Sequence, residues 1–159
     1  MNTTSARRSA RHGGLALLCV LLAIHAAHAA RGILTTGNMG FGRFVAQGGG
    51  TVVIGVNGAR SSTGSVILLS SSPSAATFTL DPPGKGNKLA MVSLPPNGSV
   101  LMSNGSSTMP VNHFVSNAPT NGQLNAPNYA LSVGATLQVG PNQAPGNYVG
   151  TFAVTVDYQ

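Results

Sequence analysis

NYVGTFAVTVDYQ, residues 147–159, is the stretch that decides the fold. Tyr148, Gly150, Phe152, Val154, Val156 and Tyr158 fall on one side of an extended chain. Val149, Thr151, Ala153, Thr155 and Asp157 fall on the other, which is mostly small or polar. A period of two is that of a β-strand with one buried face. Pro145-Gly146 immediately before it is turn punctuation and gives the strand a sharp start.

Outward from this strand, the same texture fills the chain back to about residue 32. Thr51–Val56 alternates, with Val52, Ile54 and Val56 on one face, and closes at Asn57-Gly58. The run of residues 65–69, SVILL, reads as a strand covered on both faces. Ala76, Phe78 and Leu80 alternate with Thr77 and Thr79 before Asp81-Pro82-Pro83-Gly84 breaks the pattern. Further strands are expected at 89–94, 99–102, 109–115, 129–133 and 135–139, the last two split at Gly134. Gln47-Gly48-Gly49-Gly50 reads as a turn after a brief extended opening that carries Phe41 and Phe44. Asn-Gly pairs at Asn57, Asn97, Asn104 and Asn121 mark tight turns. Residues 116–128, with Pro119 and Pro127, read as a long loop. No stretch sustains a 3.6-residue period, and strands at this spacing predict an antiparallel sandwich or barrel.

The first 29 residues have a different character. Arg7, Arg8, Arg11 and His12 precede an apolar run, Leu15–Ala26, and Ala27-His28-Ala29 fits a small-residue cleavage site. That is the layout of a secretory signal peptide, and the run is shorter than the roughly 20 residues a membrane-spanning helix needs. The expected organisation is a leader at 1–29 and one domain at 30–159, exported to the periplasm, the cell surface or the medium. No transmembrane helix is expected in the mature chain. Cys19, the one cysteine, lies in the leader, so no internal disulfide is expected in the domain.

Charge and chemistry are sparse. Charged residues make up 6% of the chain, and residues 30–159 carry Arg31, Arg43, Arg60, Lys85 and Lys88 against Asp81 and Asp157, a balance of about +3. Lys85 and Lys88 sit in a Pro/Gly turn without interleaved aromatics, which argues against nucleic-acid binding. His113 is the one histidine of the domain, with no group of donors around it in sequence to make a metal site. A nucleophile elbow is absent. Asp81, at the head of a Pro-Pro turn, and Asp157, on the outward face of the last strand, make a poor catalytic pair. The glycine-rich stretches lack a following helix pattern and a phosphate-binding lysine. The reading is therefore non-enzymatic, with no cofactor and no metal.

The segments TVVIGVNGAR (51–60), ATFTLDPPG (76–84), STMPVNHF (107–114) and LSVGATLQVGPNQAPGNYVGTFAVTVDYQ (131–159) resemble a bacterial exported family, domain of unknown function 4402. The family is similar in pattern to spore-coat U and chaperone–usher pilin domains, which implies an immunoglobulin-like, pilin-like antiparallel β-sandwich. Tyr158 in the penultimate position and Gly146 before the last strand recur at pilin C-termini. The resemblance implies that Tyr148, Gly150, Phe152, Val154, Val156 and Tyr158 line a groove completed in trans by a strand of a periplasmic chaperone or of a neighbouring subunit. Residues 30–36 are a short arm with Ile33 or Leu34 as anchors, so the chain is expected to accept a strand better than it donates one. Two other readings stay open. One is a self-contained binding module for a glycan or surface protein, with contacts at Tyr129, Phe114 and 116–128. The other, a small outer-membrane barrel, is disfavoured by the absence of Trp and by short strands.

Overall fold

The computed structural model describes residues 32–81, 88–124 and 128–159. The leader at 1–29, Pro82-Pro83-Gly84, Lys85 and Pro127 lie outside these residues. Among the described residues every regular element is a strand, as the alternating patterns require. No helix there is long and apolar enough to cross a membrane.

The fold is built around β9, Tyr129–Val139. Leu131, Val133, Ala135, Leu137 and Val139 are buried, while Ser132, Thr136 and Gln138 on the other side are half-exposed. Full burial of each large aliphatic side chain is worth about 1.5–3 kcal/mol, so this strand anchors the core. Along it lie β4 (Ala76–Leu80), paired with 129–133, and β2 (Phe44–Ile54), paired with 135–139. β7 (Thr108–Ser116) pairs with 133–137. A strand has two edges, so β4 and β2 share one, end to end, and β7 takes the other. Gly134 marks the junction: a Cβ there would collide with the Ile54 carbonyl. The strand accordingly runs unbroken through Gly134 instead of splitting at it.

Beyond these, β1 (Ile33–Gly37) pairs with β4, β3 (Arg60–Leu68) with β2, and β6 (Val100–Ser103) with β7. A second, three-stranded sheet has β5 (Lys88–Ser93) between β8 (Gln123–Leu124) and β10 (Thr155–Tyr158). All pairings are antiparallel, giving two sheets in an open sandwich. One part of the core gathers Val52, Ile54, Val100, Met109, Val111 and Leu137. The other gathers Phe78, Leu80, Leu124, Leu131 and Val133. Among the described residues no polar or charged side chain is buried.

Two further sequence readings are corrected. Gly48–Gly50 is not a turn but lies inside β2, where the register against β3 shifts between Ala46 and Gly50. Gly50 at φ 155° lies against the Thr63 carbonyl, so close that a side chain would strike it. The glycine run thus serves a bulge and a close strand approach. Likewise, 65–69 is not covered on both faces. It ends an edge strand, so Val66 is buried while Ile67 remains 48% exposed.

The four Asn-Gly turns are present. Each glycine takes positive φ, while the asparagines act through their side chains. Asn57 Oδ1 accepts the Ala59 amide, Asn104 Oδ1 the Ser107 amide and Asn121 Oδ1 the Gln123 amide. These are side-chain mimics of backbone turns. Asn97 Oδ1 instead reaches across to the His113 amide at 2.7 Å and ties the turn before β6 to β7.

Arg60 ties together the connection from β1 to β2 and the chain that leaves β3. Its guanidinium donates to the carbonyls of Phe41, Arg43 and Leu69 and to Ser71 Oγ, at 2.7–3.2 Å. Five fixed donors in one plane suit Arg to pin several carbonyls at once. The clasp places Phe41, 6% exposed, against the core.

Candidate functional site: an open cleft along the C-terminal segment

The C-terminal segment begins at a turn fixed by a phenol. Tyr148 Oη donates to the Ala144 carbonyl at 2.7 Å and accepts from Gln143 Nε2 at 2.7 Å. Gly146, at φ 155°, lies in this turn where an added Cβ would meet the Asn104 side chain. Val149 then exchanges two backbone hydrogen bonds with Ser103, of 2.8 and 2.9 Å. At Gly150 the chain lies against β6 so closely that a Cβ would sit 2.5 Å from the Leu101 carbonyl oxygen.

Alternation persists through the segment. Tyr148, Phe152, Val154, Val156 and Tyr158 are half-buried, and Val149, Thr151, Ala153, Thr155 and Asp157 are exposed. Gly150 is exposed by area, and its place on the inward side is set by the contact with β6. The pairing is shorter than the pattern. Only Thr155–Tyr158 is a strand, matched to Ala90–Ser93. Pro95-Pro96 follows one residue after β5, and proline cannot donate to a ladder, so the partner runs out at Ser93. Among the described residues, Thr151–Val154 enter no backbone pairing.

Phe152 sits in this unpaired stretch and packs against both parts of the core, as do Met39 and Phe114. Its ring meets that of Phe114 at 5.1 Å between centroids, tilted by 44°. Val154, Val156 and Tyr158 cover the second part of the core. Beside this segment lies a cleft of about 450 Å³. One bank is Thr35–Met39, from β1 onward, and the other is Tyr148–Phe152. Phe41, Ala76, Phe78, Val100, Met102 and Val111 make an apolar floor. The β1 bank is itself an edge: among the described residues it pairs only with β4, and Ile33 and Leu34 are 40% and 66% exposed.

The two banks are joined at one end. Tyr158 Oη donates to the Gly32 carbonyl at 2.9 Å, which also accepts the Asp81 amide at 2.9 Å. Burial, and then the negative charge of Asp81, raises the Tyr158 phenol above its ordinary value of 10.0. A raised phenol favours the neutral folded form. Its contribution is complete below about pH 10 and is lost as pH climbs through the folded value. Tyr158→Phe is therefore expected to cost about 0.5–1.5 kcal/mol at pH 7. It is also expected to flatten the alkaline fall in stability, read as unfolding midpoints in denaturant from pH 8 to 11.

The remaining candidate residues stand apart from the cleft. His113 is exposed in β7 at φ 49°. Asp157 is exposed, and no group of three or more His, Cys, Asp or Glu side chains comes together among the described residues. Phe114 is engaged with Phe152, and Tyr129 Oη donates to the Asn117 carbonyl at 2.7 Å, so both aromatics of the binding-module reading have partners within the fold. Sequence reasoning missed the floor and the β1 bank. Met39, Met102 and Val111 reach the cleft only through the pairing of distant strands.

Neither the curated proteins nor the solved structures contain a match to this chain. A family model does match, over residues 32–158, from the first bank of the cleft to Tyr158. The chain belongs to the family described as Domain of unknown function (DUF4402).

Proposed function

We propose that this protein is a non-enzymatic, exported structural or adhesive subunit that assembles by accepting an extended strand from another chain. In this reading the sandwich is pilin-like and immunoglobulin-like, and the signal peptide delivers it to the periplasm and cell surface. A periplasmic chaperone and then a neighbouring subunit supply the strand. The observation that carries the reading is that, among the described residues, the backbone of Thr151–Val154 is unpaired beside an apolar cleft whose opposite bank is also a free strand edge. Unpaired edges attract strands, and an apolar floor gives alternate side chains of an added strand somewhere to go. Phe152, Val154, Val156, Tyr148, Gly150 and Tyr158 are the assembly set, with Gly146 turning the chain into it.

Thermal unfolding in the presence of short peptides with alternating large apolar residues tests this. Ligand at about 100 times Kd stabilises by about 2.7 kcal/mol, a rise of several degrees in Tm. Scrambled peptides of the same composition are expected to have no effect. A Tm indifferent to every strand peptide, with a cooperative monomeric transition, would overturn strand acceptance in favour of a self-contained binding module.

A further inference from the structure

The four Asn-Gly turns differ in how their reactive groups are held. In such a pair the glycine amide nitrogen can bond to the asparagine Cγ and close a succinimide ring. Glycine, with no side chain, leaves that approach unhindered. Among the described residues, Oδ1 of Asn57, Asn97 and Asn121 accepts one hydrogen bond each, from the amides of Ala59, His113 and Gln123. The amides of Gly58, Gly98 and Gly122 donate to carbonyl oxygens, those of Gly55, the Asn112 side chain and Pro119. A carbonyl oxygen holds an N–H but has no proton of its own to pass on.

Asn104 differs on both counts. Its Oδ1 accepts from the Ser107 amide at 2.8 Å, the Ser106 amide at 3.1 Å and Ser106 Oγ at 3.3 Å. The Gly105 amide donates to Ser103 Oγ at 2.9 Å, a hydroxyl that can accept one proton and release another. Gly105 and Ser106 are exposed, and nothing lies within 4 Å of a Cβ added at Gly105, so water reaches the turn. Several donors aimed at one oxygen are the arrangement that stabilises negative charge developing on it.

We propose that Asn104-Gly105 is a self-modifying site that converts Asn104 to aspartate and isoaspartate. The Gly105 nitrogen loses its proton through Ser103 Oγ and bonds to Asn104 Cγ. The carbonyl electron pair moves onto Oδ1, among its three donors. Collapse of this intermediate breaks the Cγ–Nδ2 bond, and Nδ2 leaves as ammonia with the proton that Gly105 gave up. Water then opens the succinimide at either carbonyl and leaves a carboxylate and a proton. One water is taken up and one ammonia released, with no oxidant or reductant. The new charge arises at the turn into the C-terminal segment. The Asn104 side chain lies where a Cβ at Gly146 would go, and neighbouring Ser103 holds Val149 by two backbone hydrogen bonds. The site is independent of strand acceptance.

The test is to keep the purified protein in mildly alkaline buffer made with heavy-oxygen water and follow each asparagine by peptide mass spectrometry. Asn104 is expected to convert about tenfold faster than Asn57, Asn97 and Asn121, and at least as fast as in a synthetic peptide of residues 101–109. Ser103→Ala is expected to slow conversion at Asn104 about tenfold, or about 1.4 kcal/mol in the barrier, with the other three sites and the unfolding midpoint unchanged. The sign decides between two roles. If these hydrogen bonds only hold the turn, removing one frees the chain and speeds conversion. Ser106→Ala, which removes one donor to Oδ1 in an exposed turn, is expected to slow conversion as well. Equal rates at the four asparagines, slower conversion at Asn104 than in the peptide, or an unchanged or faster rate in Ser103→Ala would overturn the site.

Discussion

Gly134→Ala is expected to destabilise the protein by about 3 kcal/mol or more, lowering Tm by about 10 °C or more. The added methyl would meet only backbone: the Ile54 carbonyl, then Gly55 and Val56. No flexible side chain can swing away. Relief requires β2 to move off β9, and that pairing runs from Gly50 to Ile54 and carries the fully buried Val52 and Ile54. β4 ends its own pairing at Val133, so the strain falls at the junction of three strands. Gly98→Ala is the control. Gly98 has φ 81° and nothing within 4 Å of its would-be Cβ, so only the conformational penalty remains, about 1 kcal/mol. Denaturant unfolding of both variants decides the matter. If the two cost the same, the close approach at Gly134 carries no energetic weight.

The contrast between these glycines shows which parts of the fold could be read from the chain. The inward face of the C-terminal segment was legible because alternation is local: a residue's side is set by its neighbours, wherever the partner lies. Turn positions were legible for the same reason, since Asn-Gly chemistry acts within two or three residues. Pairing is not local. Gly134 looked like a strand break because glycine is poor in strands, and only the approach of Ile54 from eighty residues upstream gives it a reason to be there. Gly48–Gly50 looked like a turn by the same logic, and the bulge against Gly64 and Thr63 is invisible without β3. The length of the last strand depended on Pro95-Pro96, which removes its partner. For the cleft, one bank and none of the floor were legible: Val100, Met102 and Val111 meet only through the pairing of β6 with β7, and Met39 reaches them from the chain that follows β1.

Phe152→Ala is expected to cost about 2–3 kcal/mol, the lower range for a truncated aromatic because the ring is half-buried. Its packing against Phe114 adds to the loss, since tilted aromatic pairs contribute about 0.5–1.5 kcal/mol beyond their buried area. The position matters more than the area. Phe152 touches both parts of the core from a stretch that no ladder holds in place. Side-chain packing must therefore do there what hydrogen bonds do in β10. Removing the ring is expected to loosen Thr151–Val154 and to widen the cleft. That would raise dye binding to exposed apolar surface and speed exchange of the flanking Val149 amide, which the Ser103 carbonyl holds, with β9 still protected. Val149→Ala, at a side chain 66% exposed three residues away, is expected to stay within about 0.5 kcal/mol. A strand peptide that fills the cleft is expected to recover part of the stability lost in Phe152→Ala, because it would return apolar contacts to the same floor. Loss of stability without faster exchange at Val149 would mean that the segment is held by something other than this ring.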